Sequence, residues 1–127
     1  MTQVLLIEDN ADDVELAKRA FHRLGVAENV HFALDGEAAL EYLKMAKTPP
    51  QLILLDLNLP KISGLEVLRK IRSSPATSQT PIVVLSVSRK EPDLLQSFTM
   101  GVNDYFIKPI ESDRIVSVYQ KYVKDNS

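Results

Sequence analysis

The chain has 127 residues, of which 45% are hydrophobic and 25% are charged, a composition that favours one globular domain over a disordered or fibrous chain. Its formal net charge of −2 offers no basic surface for a nucleic-acid backbone, so direct nucleic-acid binding is not expected. The absence of Cys excludes disulfides and thiolate metal sites, and no apolar run suits a membrane helix or an export signal. We therefore expect a cytoplasmic single-domain protein.

The first half of the chain alternates strand and helix patterns. Residues 3–8 (QVLLIE) form a short apolar run with β-branched members, which predicts a buried strand. Asn10 can cap the amphipathic helix that follows, and Gly25 ends that helix. Residues 30–34 alternate as a strand does, and residues 37–45 again carry a helical pattern.

The second half continues the same alternation. Residues 52–57 (LILLDL) and 82–86 (IVVLS) predict buried strands. Between them, Ser63 and Glu66 stand in the spacing of a capping box, which predicts the start of a helix. Another helix is predicted over residues 92–100.

The last unit consists of a predicted strand at residues 105–108 (YFIK) and a helix opened by Ser112, so that the chain contains five βα units. Strands that alternate with helices imply a parallel sheet with helices on both faces, because the crossover connections are right-handed. The predicted fold class is α/β, doubly wound.

Polar side chains stand at the ends of the predicted strands, and in an open α/β sheet this is the edge where ligands bind. Glu8 and Asp9 end the first strand, Asp56 lies near the end of the third, Ser86 ends the fourth and Lys108 ends the fifth. Carboxylates brought to one edge suit a hard cation such as Mg²⁺, and a Lys and a hydroxyl can hold phosphoryl oxygens. The pattern predicts a phosphoryl group on a carboxylate.

Each of these residues also has a plain structural interpretation. Asp56 could be a turn residue, and the acidic pair after the first strand could be a charge pair at a helix start. Lys108 could be a solvated strand end and Ser86 a turn hydroxyl. Their shared position at successive strand ends favours the functional interpretation.

Four segments, VLLIEDN, LILLDLNLP, IVVLS and DYFIKP, resemble the motifs of response-regulator receiver domains similar to the chemotaxis regulators, in the order and spacing of that family. The match spans nearly the whole chain. The resemblance implies a flavodoxin-like (βα)5 fold with strand order 2-1-3-4-5, and one receiver domain over residues 1–127 with no effector domain.

By this resemblance, Asp56 is the phosphoacceptor, which takes a phosphoryl group from the phosphohistidine of a histidine kinase. Glu8, Asp9 and Asp56 bind Mg²⁺ together with the backbone carbonyl of Asn58. Lys108 pairs with the phosphoryl oxygens. The protein is then a phosphoacceptor that catalyses its own modification, and not a multiple-turnover enzyme.

The resemblance also implies a switch. Ser86 hydrogen-bonds to the phosphoryl group, Tyr105 is the aromatic switch residue, and the bond before Pro109 is cis. Through Ser86 and Tyr105, phosphorylation remodels a face formed by the fourth helix, the fifth strand and the fifth helix, which binds another protein or a second copy of the chain.

Some residues depart from the family pattern or refine the match. Val87 follows Ser86 where many relatives carry Ala or Gly, and a branched side chain there predicts restricted water access and slow self-dephosphorylation. Glu8 occupies the first acidic position, which bears on the metal geometry. The segment LDLNLPK and the preceding TPP resemble single-domain regulators that serve phytochrome kinases.

Two other functions compete with this interpretation. A Mg²⁺-dependent phosphatase of the haloacid-dehalogenase type also uses a strand-end Asp, but it places a second Asp two residues later, where this chain has Asn58. A degenerate receiver that acts only as a binding module is expected to lose the acceptor, the Lys or the acidic pair, and all of them are present here.

Overall fold

The computed structural model describes residues 2–87 and 91–123 as five alternating strands and helices. The strands are β1 Val4–Ile7, β2 Val30–Ala33, β3 Leu52–Asp56, β4 Ile82–Ser86 and β5 Asp104–Ile107. The helices are α1 Ala11–Leu24, α2 Gly36–Met45, α3 Gly64–Ser73, α4 Glu91–Thr99 and α5 Ser112–Tyr122, with a short 3-10 helix at Ala27–Asn29. Within the described ranges, no helix has the length and apolar character needed to cross a membrane.

All neighbouring strands are parallel, and their order is β2-β1-β3-β4-β5. The predicted fold class and strand order are therefore confirmed. The three central strands are buried along their whole length, which explains why they read as continuous apolar runs in the sequence.

The core lies on both faces of the sheet. On one face, alternate residues of β1 such as Val4 pack with Phe21 of α1 and Ile115 of α5. On the other face, Leu5 and its equivalents pack with α2 and α3, including Leu68. Because successive strand residues point to opposite faces, one apolar run supplies both layers.

The predicted helix caps of α1 and α3 are present. The Asn10 side chain accepts a hydrogen bond from the Asp13 backbone N–H at 3.0 Å, and Gly25 ends α1 in the left-handed conformation with φ 73°. The Ser63 hydroxyl accepts from the Glu66 backbone N–H at 3.2 Å. These local signals fixed both helix starts correctly.

Other element ends differ from the predictions by one or two residues. Glu8 and Lys108 lie just beyond β1 and β5, because the paired ladder stops at the residue before each of them. Helix α2 begins at Gly36, since Asp35 caps it by accepting from the backbone N–H of residue 38 at 2.7 Å. Ser112 is the first residue of α5, and its hydroxyl receives a side-chain hydrogen bond from α1 instead of capping the helix.

Arg72, near the end of α3, makes a cluster of contacts that the sequence did not predict. Its guanidinium donates to the carbonyls of Thr77 and Thr80 at 3.0 and 2.8 Å, and to those of Met100 and Gly101 at 3.1 and 2.9 Å. Burial of the group lowers the pKa of Arg72 from its usual value. One side chain thus joins the α3–β4 loop to the C-terminal end of α4.

We expect Arg72→Ala to lower the free energy of unfolding by about 2–4 kcal/mol, because hydrogen bonds from a charged group are lost and partly buried carbonyls remain unpaired. Arg72→Lys should recover only part of the loss, since an ammonium cannot reach four carbonyls in this geometry. Urea denaturation measures both changes. Arg69→Ala, which breaks an exposed pair with Glu66, is the control and should cost no more than about 1 kcal/mol. Similar losses for Arg72→Ala and Arg69→Ala would contradict this account.

Candidate functional site

The carboxyl edge of the sheet brings together side chains from β1, β3 and β5. The Lys108 ammonium lies 2.6 Å from Glu8 Oε1, 2.8 Å from Asp13 Oδ2 and 3.3 Å from Asp56 Oδ2. The Lys108 side chain is only 8% exposed, and those of Glu8 and Asp56 are 2% exposed. Three residues far apart in the chain therefore form one buried ionic cluster, as the strand-end pattern predicted.

Asp13 belongs to this cluster, although the sequence pattern did not single it out as a site residue. Its backbone N–H is held by the Asn10 cap, and its carboxylate contacts Lys108 from the first turn of α1. The signal in the sequence was the dense acidic run EDNADD at 8–13, which contains more acid than a helix start requires.

The protonation of Glu8 reflects its burial beside another carboxylate. Burial and a hydrogen bond with Asp56, opposed by Lys108, together raise the pKa of Glu8 to about 7. Burial alone would lower the pKa of Lys108, but hydrogen bonds to Asp13 and Glu8 and the charge of Asp56 together raise it above its ordinary value. The Lys108 ammonium therefore stays charged, and the Glu8 carboxyl titrates near neutral pH.

Carboxylate oxygens of Glu8, Asp9 and Asp56 all lie within 4.8 Å of one another. Glu8 and Asp56 are buried, and Asp9 is exposed, so the cluster opens to solvent on the Asp9 side. An oxygen-only donor set of this kind suits a hard divalent cation, and a cation would compensate the charge that now raises the Glu8 pKa. The donor set fits the Mg²⁺ that the sequence predicted.

Asn58 connects the end of β3 to the end of β4. Its backbone N–H donates to Asp56 Oδ1 at 2.9 Å. Its side-chain oxygen accepts from the Ser86 hydroxyl at 3.2 Å and from the Val87 backbone N–H at 3.3 Å. Nothing in the local pattern shows where an amide side chain points, so the sequence did not predict these contacts of Asn58 with the end of β4.

The predicted switch residues occupy neighbouring strands. Ser86 is fully buried, and Tyr105 is half-buried and pairs in register with Val84. Since Val84 and Ser86 are two residues apart on β4, Tyr105 and Ser86 lie on the same face of the sheet. The Lys108–Pro109 peptide bond is cis, as expected.

Gly64 lies so close to the end of β3, the strand that carries Asp56, that a side chain would not fit. A Cβ at this position would lie 2.3 Å from Leu57 Cα and 2.6 Å from the Asp56 carbonyl oxygen. The Gly64 backbone N–H also donates to the Leu57 carbonyl at 3.1 Å. The first residue of α3 therefore fixes the position of the strand end that carries Asp56.

A family model for the response regulator receiver domain matches residues 4–120. The match covers the βα repeat and the ionic cluster. This chain belongs to the response regulator receiver domain family.

Two curated relatives are similar over most of the chain. The probable methanogenesis regulatory protein FilR2 of Methanothrix harundinacea is 41% identical over 84% of this chain and 72% of its own length. The response regulator Rcp1 of Synechocystis is 37% identical over 83% of this chain and 75% of its own length.

Solved structures place the fold among phytochrome-associated regulators. The bacteriophytochrome response regulator RtBRR is 36% identical, with a TM-score of 0.83 over 100% of this chain and 81% of that one. The phosphorylated cyanobacterial phytochrome response regulator RcpA is 33% identical, with a TM-score of 0.84 over 96% and 94% of the two chains. The Mn²⁺-bound form of Rcp1 is 30% identical, with a TM-score of 0.82 over 98% and 96%. These likenesses support the phytochrome-associated subfamily that the sequence suggested.

Replacement of Gly64 tests how the site is held. We expect Gly64→Ala to destabilise the fold by at least about 2 kcal/mol and to weaken divalent-cation binding, because the new Cβ must push the backbone of β3 away. Gly25→Ala is the matched control: its Cβ meets nothing within 4 Å, so it should cost only about 1–2 kcal/mol of left-handed strain and leave cation affinity intact. Calorimetric cation titration and thermal denaturation measure the two effects, and equal cation affinity in both variants would contradict this role for Gly64.

Proposed function

We propose that this receiver domain accepts a phosphoryl group on Asp56 from the phosphohistidine of a sensor histidine kinase, with Mg²⁺ bound beside it. The observation that carries this proposal is the buried Asp56 carboxylate, with the Lys108 ammonium 3.3 Å away and two more acidic side chains within cation-binding distance. The solved structures of phosphorylated RcpA and Mn²⁺-bound Rcp1 support both parts of it.

Asp56 is positioned for nucleophilic attack. Its Oδ1 is held by the Asn58 N–H, and its Oδ2 faces Lys108. In the transfer, a carboxylate oxygen forms a bond to phosphorus while the bond from phosphorus to the kinase imidazole nitrogen breaks, and that nitrogen keeps the electron pair. The reaction is a phosphoryl transfer in which positioning and charge supply most of the catalysis.

The remaining residues neutralise charge. A bound Mg²⁺, held by Glu8, Asp9, Asp56 and the Asn58 carbonyl, would offset the negative charge that the phosphoryl group adds. Lys108 supplies a fixed positive charge that is already desolvated and so acts strongly on the phosphoryl oxygens. The Ser86 hydroxyl donates to another of these oxygens.

Sustained phosphatase turnover is disfavoured. Asn58 stands two residues after Asp56 and offers no acid or base, and its side-chain oxygen is already hydrogen-bonded to β4. A purely structural, degenerate receiver is disfavoured as well, because the acceptor, the Lys and the acidic pair lie together within contact distance. The phosphorylated state is therefore a stable signal and not an intermediate in turnover.

Asp56→Asn tests the acceptor. We expect the wild-type chain to gain one phosphoryl mass with acetyl phosphate and Mg²⁺, and the variant to gain none, because an amide oxygen is a poor nucleophile. Intact-mass spectrometry measures the gain. Excess chelator is the control and should abolish the wild-type gain, whereas a gain that persists in chelator or in Asp56→Asn would refute the assignment.

The partner kinase is proposed to be of the phytochrome type, acting in the cytoplasm where ATP is available. The similarity to RtBRR and RcpA supports this choice. The similarity to FilR2, a probable methanogenesis regulatory protein, supports the alternative that the partner is a different kinase. Phosphotransfer rates from a phytochrome kinase and from an unrelated sensor kinase would decide between them.

The output is proposed to pass through the face formed by α4, β5 and α5. A groove of about 530 Å³ beside β5 and α5 is lined by Phe106, Pro109 and Arg114 among others, and the Arg114 guanidinium lies 4.6 Å from the Phe106 ring centre. Such a groove gives a partner protein or a second copy both apolar and charged contacts. We expect phosphorylation to shift amide NMR signals along β5 and α5, through Ser86 and Tyr105. Shifts confined to the neighbours of Asp56 would count against this face.

Val87 is proposed to restrict water access to the phosphorylated Asp56. The side chain is 63% exposed, and its backbone N–H lies 3.3 Å from Asn58 Oδ1, so it stands at the solvent side of the site. We expect Val87→Ala to shorten the lifetime of the phosphorylated state, because in-line attack by water gains room. Intact-mass decay curves measure the lifetime. Leu34→Ala is the matched control: Leu34 is 60% exposed and lies just after β2, which β1 and β3 separate from β4, so its replacement should leave the lifetime unchanged. An unchanged lifetime in Val87→Ala would remove Val87 from this role.

A further inference from the structure

Asn58 hydrogen-bonds to the Asp56 carboxylate and to two donors at the C-terminal end of β4. Its backbone N–H holds the reacting carboxylate of Asp56 at 2.9 Å. Its side-chain oxygen lies 3.2 Å from the Ser86 oxygen and 3.3 Å from the Val87 nitrogen, and it accepts a hydrogen bond from each. The Ser86 hydroxyl and the Val87 backbone N–H, at the C-terminal end of β4, therefore donate to the same oxygen.

These donors match what a phosphoryl oxygen needs. The Ser86 hydroxyl is fully buried, so it requires an acceptor in every state of the protein. In the unphosphorylated chain the Asn58 amide oxygen is one such acceptor. Phosphorylation adds anionic oxygens to Asp56, the residue whose carboxylate accepts a hydrogen bond from the Asn58 backbone N–H.

We propose that the Asn58 side-chain oxygen competes with the phosphoryl group for the Ser86 hydroxyl and the Val87 N–H, and so opposes the phosphorylated arrangement of β4. The proposal rests on the function proposed above for Asp56 and Ser86. Asn58 becomes a positioning residue whose side chain must release β4 before the phosphoryl oxygen can be bound.

The Asn58 amide oxygen is a weaker acceptor than a phosphoryl oxygen, so the phosphoryl group can displace it. The contacts to Asn58 are long for hydrogen bonds, at 3.2 and 3.3 Å, and the amide is neutral. A phosphoryl oxygen is charged and forms shorter, stronger hydrogen bonds to the same donors. The phosphoryl oxygen therefore replaces the amide oxygen as acceptor. Breaking the hydrogen bonds to Asn58 reduces the net free energy of phosphoryl binding.

A purely supporting role for Asn58 gives the opposite expectation. If the side chain only stabilised the site, its removal would loosen the end of β4 and weaken phosphoryl binding. If the side chain competes, its removal strengthens phosphoryl binding by about three- to tenfold, the worth of one or two weak hydrogen bonds. The sign of the change separates the two roles.

The test uses Asn58→Leu, which keeps the size of the side chain but removes the oxygen, and Asn58→Ala, which removes both. Both variants retain the backbone N–H and carbonyl. Beryllofluoride, a stable analogue of the phosphoryl group, is titrated into the full chain at a Mg²⁺ concentration that saturates each variant, and amide NMR follows binding. We expect about three- to tenfold tighter analogue binding in both variants, with the analogue-free Ser86 and Val87 signals already shifted towards their bound positions.

Asn103→Leu is the matched control. The Asn103 side-chain oxygen accepts from the Ile82 backbone N–H at 3.0 Å, so it holds the opposite end of β4 by the same chemistry. This variant should lose stability without gaining analogue affinity. Equal or weaker analogue binding in both Asn58 variants overturns the competition alone, whereas a wild-type chain that takes up no analogue overturns the proposed function together with it.

Discussion

A buried ammonium group among three carboxylates is the interaction on which the functional edge of this domain depends. Burying the charge of Lys108 is costly unless partners surround it, and Glu8, Asp13 and Asp56 are those partners. Three carboxylates exceed the charge of one ammonium, which suits the cluster to a divalent cation, and burial beside Asp56 raises the pKa of Glu8 to about 7. The excess negative charge is unfavourable by itself but favours binding of Mg²⁺. The charge of the cation can then offset that of a phosphoryl group.

The rest of the fold holds this cluster in position. Parallel pairing brings the ends of β1, β3 and β5 to one edge, although β1 and β5 are separated by β3 and β4 in the sheet. Gly64 lets α3 begin directly against the strand that carries Asp56. Arg72 links the C-terminal end of α4 to the loop before β4.

Asn58, which follows β3, and Val87, which follows β4, bear on whether the proposed phosphorylated state persists or is hydrolysed. A carboxylate in place of Asn58 would supply the acid and base that phosphatase turnover needs. The amide instead binds the donors of β4, and the exposed Val87 stands at the solvent side. In the function proposed above, the lack of an acid or base at Asn58 and the branched side chain of Val87 slow hydrolysis of the phosphorylated state, whereas the contacts of the amide with β4 oppose its formation.

The sequence by itself determined the elements and the chemistry of the strand ends. Apolar runs, the Asn10 and Ser63 caps and Gly25 are local signals, since each acts on residues within a few positions, and they predicted the βα order correctly. The polar residues after β1, β3 and β5 predicted the cluster because parallel strands end at one edge. The family resemblance supplied the strand order.

Only the tertiary structure decided which side chains meet. The contact of Asp13 with Lys108 joins residues 95 positions apart, and the contact of Arg72 with Met100 spans 28 positions. Neither leaves a periodic pattern in the chain, and the same holds for the Asn58 amide, which turns towards β4. Side-chain direction and close approach, as at Gly64, depend on how whole elements pack, and that packing is settled by the complete core and not by any local segment.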